Sequence, residues 1–180
     1  MTFQDTARLL LVIVVVLALQ LTLALDVRIG GAHPDLPLCL AVAGGLAAGP
    51  RRGAVVGFLG GLAIDLFLPT PFGLSGLVGT AVGAGCGQLV AAGVDRSSRL
   101  FVPGVAAIAS ALGVIMFAVL GAVLGQPDMF TPGLGAVVAV VAVVNGVLAA
   151  SMLKACNWAF KRNQVAGSAW QGTLVAGDRP

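Results

Sequence analysis

The sequence predicts an all-α integral membrane protein, six transmembrane helices in a compact bundle packed through small residues. Three observations carry that reading. Hydrophobic residues make up 58% of the 180-residue chain and charged residues 9%, with a mean hydropathy of +1.04; soluble domains hold about 25% charge. The charges fall in short intervals between long uncharged stretches. The 26 glycines would be ruinous for free helices in water, but small residues let membrane helices approach closely.

A crossing needs about 20 apolar residues, with roughly 17–25 acceptable. The first span, near 9–25, is the uncharged interval between Arg8 and Asp26. It is long for the apolar region of a signal peptide, and Leu25-Asp26-Val27 lacks the small-residue cleavage pattern, so it is read as retained. The second and third spans, near 36–50 and 53–68, are short and meet at Pro50-Arg51-Arg52. A re-entrant hairpin is the alternative, but it puts Arg51 and Arg52 inside the membrane at a cost of several kcal/mol. Two crossings with the arginines snorkelling to headgroups avoid that cost. Pro69-Thr70-Pro71 removes helix donors and forces the turn into the fourth span, near 73–93. The uncharged stretches that follow give spans near 101–124 and 132–153. Residues 1–162 thus form one six-helix domain, and residues 163–180 lose periodicity and are expected to be a mobile cytoplasmic tail.

Orientation follows from the bases. With six spans, Arg8, Arg51, Arg52, Arg96, Arg99, Lys154, Lys161, Arg162 and Arg179 share one side, nine of the ten, and Arg28 alone lies opposite. The positive-inside rule places that side, with both termini, in the cytoplasm.

Small residues recur at every fourth position: Ala41, Gly45 and Gly49, then Gly53, Gly57 and Gly61, then Gly79, Gly83 and Gly87. Each set lines one helix face, and the second to fourth spans are expected to pack tightly along these faces. A groove for another protein's helix is the alternative use. The first span has no Gly and carries Leu, Val and Ile all round, so it faces lipid or a partner helix.

Asp65 ends the third span's stripe and lies well inside a span, which makes it a functional candidate by default. A structural role weighs more: its carboxylate can take the open backbone donors that begin the next helix, around Gly73 to Ser75. Its closest polar neighbour at equal depth is Gln20. Asn145 lies mid-span about 12 Å deeper, at 1.5 Å per residue, so direct pairing with Asp65 is not expected. Asn145 and Gln88 are read as interhelical hydrogen-bonding amides.

Catalysis finds no residues to carry it. An aspartyl dyad needs two carboxylates at one depth. His33 stands alone, and Cys39, Cys86 and Cys156 have neither metal-ligand spacing nor a paired partner on the outer face. The glycine-rich run at 83–87 has no strand before it and no Lys after it, so it is no phosphate cradle. No cofactor, metal or nucleic-acid partner is expected.

One ordered set of residues resembles a known family. Pro34-Asp35 opens the second span and Pro50-Arg51 closes it; then come Gly57-Phe58, Gly61, Asp65-Leu66, Gly73-Leu74 and Gly76-Leu77. Asn145-Gly146-Val147-Leu148 follows, before a basic end. This order resembles the rod shape-determining MreD family, over roughly residues 34–80 and 143–162. The chain departs from the family pattern in lacking Tyr in the fourth span and in having Ala149-Ala150 where bulkier aromatics are common. The resemblance implies an inner-membrane subunit of the bacterial cell-elongation machinery, related in fold to substrate-binding subunits of energy-coupling-factor transporters. It implies partnership with MreC and, through it, with MreB, RodA and a class B penicillin-binding protein. The expected function is a non-enzymatic scaffold supporting rod shape and lateral peptidoglycan synthesis. Membrane lipid is a further expected partner, and Arg51, Arg52, Arg96 and Arg99 are the cytoplasmic loop bases placed to meet it. The related fold suggests the alternative, a subunit that binds a small, vitamin-like molecule for a transporter.

Overall fold

The computed structural model describes residues 3–26, 34–68, 71–94, 98–126 and 133–160. Those residues form six helices and no strand: α1 (Phe3–Asp26), α2 (Leu36–Ala48), α3 (Pro50–Asp65), α4 (Leu74–Ala91), α5 (Phe101–Val123) and α6 (Leu134–Phe160). Three of them, α4, α5 and α6, are long and apolar enough to cross a membrane, the mark of a membrane protein. Shorter apolar segments run over Thr6–Thr22 and Leu36–Ala48. The tail at 163–180, together with Arg28, His33 and Arg96, lies outside the described residues.

The helix ends differ from expectation at three places. Helix α1 begins at Phe3 and α6 runs on to Phe160, well past residue 153. Helix α2 stops at Ala48, and one residue, Gly49, links it to α3. Pro50 therefore opens α3 rather than closing α2, at the first helical position, where its missing N–H costs nothing. Gly49 has φ +81, a backbone state that only glycine adopts cheaply, and that makes so short a reversal possible.

Helix α2 is the centre of the molecule, with eleven of its thirteen residues buried. Helices α3 and α4 close against it through their glycine faces. A methyl group on Gly57 would overlap the Gly79 carbonyl; one on Gly61 would overlap that of Ser75, and one on Gly45 or Gly53 that of Gly83. Backbone lies directly on backbone here, so the stripes are filled by one another and leave no groove for an outside helix. Helix α1 is peripheral. Leu9, Val12, Ile13 and Val16 face the core, while Leu10, Leu11, Val14, Val15 and Leu19 stay exposed. Exposed Ile108, Leu112 and Val119 on α5 and Val143 and Val147 on α6 extend this apolar outer surface.

Candidate functional site

The buried polar side chains, Asp65, Ser110 and Asn145, fall at two nodes. The first is Asp65, at the last residue of α3 and only 4% exposed. One of its oxygens, Oδ2, accepts from the backbone N–H groups of Gly73 at 2.8 Å and Ser75 at 3.1 Å, and more distantly from Gly76 at 3.5 Å. Oδ1 takes a longer bond from the Ser75 N–H at 3.3 Å. A carboxylate at the end of one helix thus caps the start of the next, where four donors lack intrahelical partners. Gly73 precedes α4 at φ +94, which turns the chain so that these donors converge on Asp65. Leu74 is buried beside it, Phe58 is half exposed on the outer side of α3, and Gly57 and Gly61 hold the hairpin closed. Gln20 is not part of this node. Its amide donates to the Pro34 carbonyl at 2.8 Å and accepts from the Leu36 N–H at 2.9 Å, so it serves the start of α2 instead.

The second node joins α2, α5 and α6. Asn145 is fully buried, and its Nδ2 donates to the Asp35 carbonyl at 2.9 Å and to Ser110 Oγ at 3.0 Å. The Cys39 thiol donates to the Asn145 carbonyl at 3.6 Å, a normal length for sulfur. Since a carbonyl only accepts, the bond to Asp35 fixes which end of the Asn145 amide is the nitrogen. Gly146 lets α6 approach Pro103 and Ala107 of α5. Gln88, by contrast, is exposed, so its expected interhelical bond is not made. Cys39, Cys86 and Cys156 are all free and buried.

This second node sets the depth of α2. Asn145 lies eleven residues into α6, about 16 Å along the axis at 1.5 Å per residue. Helix α2 therefore starts far below the start of α6. Its N-terminus is finished locally: the Asp35 carboxylate accepts from the Leu38 N–H at 3.0 Å, and Pro37 sits in the first turn. Above the recessed end the taller helices leave a half-open cavity of about 470 Å³. Gln20, Asp35 and Ser75 supply its polar lining, and Leu38, Phe117 and Val141 are among its apolar walls.

Arg51, Arg52 and Arg99 are the loop bases among the described residues. Arg51 and Arg52 stand in the first turn of α3, Arg51 exposed and Arg52 half-buried. Arg99 is exposed just before α5. Among the described residues no group of three metal-ligating side chains occurs. Sequence reasoning missed Ser110, although it is the only hydroxyl residue of α5; that lone polar residue, set against the mid-span Asn145 of the adjacent α6, is the signal that pairs the two. No protein-family model, curated protein or solved structure matches this chain.

Proposed function

We propose that this chain is a non-enzymatic membrane scaffold of the MreD type, crossing the bacterial inner membrane six times with both termini in the cytoplasm. The observation that carries the reading is the α3–α4 hairpin. The residues of the resemblance, Gly57, Gly61, Asp65, Gly73 and Leu74, act there as one packing and capping unit. Asp65 is spent on backbone donors, and the amide nitrogen of Asn145 joins three helices while its Oδ1 is buried without a partner among the described residues. The polar groups that would otherwise suggest chemistry hold the fold together. The faces left over are apolar and helical, which suits recognition of another membrane protein helix to helix. MreC is the expected partner, with MreB, RodA and a class B penicillin-binding protein in the wider assembly.

The test is co-purification with MreC from the same organism, together with cell shape after deletion of the gene. Retention of MreC and loss of rod shape are expected. Absence of both results overturns the reading.

A second reading is favoured by the cavity above α2, with its few polar groups in an apolar wall. A transporter subunit binding a small molecule has such a pocket. Native mass spectrometry of the purified protein separates the two readings: a stoichiometric small molecule, with a transporter ATPase gene alongside, supports the second. Genes for MreB and MreC alongside support the first.

A further inference from the structure

The start of α1, the start of α3 and the end of α6 meet at one end of the bundle. Leu9, Val56 and Phe160 belong to one buried cluster, so Arg8, just before Leu9, and Arg52, one turn before Val56, are carried to the last turns of α6. There the Arg8 guanidinium lies over the Trp158 ring, 5.2 Å from its centre, and that of Arg52 lies over the Phe160 ring at 5.6 Å. Lys154 is exposed one turn before Trp158 on the same face of α6. An aromatic ring takes up the flat face of a guanidinium and holds it in place, leaving the N–H groups at its edge free to bind an anion. The one acid nearby in sequence is Asp5, one turn before Arg8, whose side chain lies outside the described residues.

The surface running away from Arg8 is apolar. Leu11, Val15 and Leu19 follow at helical spacing on the same face of α1, each about half exposed. Cationic edges above an apolar lane match an amphiphile, a charged headgroup with hydrocarbon attached, and this sets a lipid apart from a free anion or an acidic peptide.

We propose that this end of the molecule is a binding site for one anionic phospholipid, its phosphodiester held by Arg8 and Lys154 beside Trp158 and its acyl chain lying along Leu11, Val15 and Leu19. Arg52, fixed on Phe160, adds positive potential from the other side of α6. The site rests on the membrane reading of the chain and requires no partner protein.

The test uses Trp158 as the reporter. The full chain carrying Trp170→Phe is reconstituted in phosphatidylcholine nanodiscs with a small fraction of lipid brominated on its acyl chains, either phosphatidylglycerol or phosphatidylcholine. Brominated phosphatidylglycerol is expected to quench Trp158 several-fold more than brominated phosphatidylcholine at equal mole fraction. Arg8→Gln with Lys154→Gln is expected to bring the ratio to near one with helix content unchanged. Arg8→Lys, which keeps the charge, is expected to retain part of the preference, and Arg51→Gln nearly all of it. Equal quenching by the two lipids overturns the proposal. So does a preference that survives the double substitution, or one that Arg51→Gln removes equally well, since either is only the mean field of the surface. Loss of the preference on adding inorganic phosphate, but not sodium chloride of equal ionic strength, also overturns it and assigns the site to a free anion.

Discussion

Helix α4 has two sides that meet their neighbours in opposite ways. Toward α3 and α2, Gly79, Gly83 and Gly87 bring backbone onto backbone, with no room for a methyl group. Toward α5, Ala81, Gly85 and Ala109 line an apolar groove of about 380 Å³, and nothing lies within 4 Å of where a Gly85 Cβ would be. The same residue type thus has two meanings on one helix. At every fourth position from 79 to 87 glycine is a packing surface, whereas at 85 it is only a missing side chain. The difference separates a closely packed unit, α2–α3–α4, from α1, α5 and α6, whose outer faces are exposed and apolar.

The strongest way to break that contrast is Gly57→Ala. Its methyl group would overlap the Gly79 carbonyl, and since backbone cannot step aside as a side chain can, a loss of about 3 kcal/mol is expected in a detergent unfolding titration. Asp65→Ala comes next. It strands the part-buried N–H groups of Gly73 and Ser75, at a cost of about 2 kcal/mol. Asp65→Asn keeps an acceptor and is expected to recover about half of that in the same titration. Asn145→Ala opens the node at Ser110; a loss of about 1 kcal/mol is expected, because the Asp35 carbonyl still accepts from the Cys39 N–H. Gly85→Ala has the smallest effect and the opposite sign. It fills open space and favours the helix, so a gain of about 0.5 kcal/mol is expected in the same assay. Equal losses from Gly57→Ala and Gly85→Ala would erase the distinction between the two sides of α4.

The legible parts of this fold are the local ones. The Asp65 cap lies within eleven residues of its donors, and the stripes are one periodicity read against itself, so pattern and chain chemistry suffice to find both. What escaped depends on how far one helix slides along another. Gln20 points to α2 rather than toward Asp65, and Asn145 meets Asp35 from 110 residues away. Both follow from the recessed start of α2, and nothing in residues 34–40 alone gives its level relative to α1 and α6. The aromatic seats of Arg8 and Arg52 are hidden for the same reason, since they need three helix ends to be brought together.

The single-residue link at Gly49 bears on how this sequence can change over time. The fourfold spacing of Ala41, Gly45, Gly49, Gly53, Gly57, Gly61 and Asp65 runs unbroken through the link. With 3.6 residues per turn, one inserted or deleted residue within α3 rotates everything beyond it by about 100° and carries the later glycines off the α4 face. An insertion at Gly49 itself has no loop in which to be absorbed. Substitutions can therefore accumulate on the exposed side of this pair of helices while its length stays fixed, and drift in length is confined to the longer connections at the ends of α1, α4 and α5.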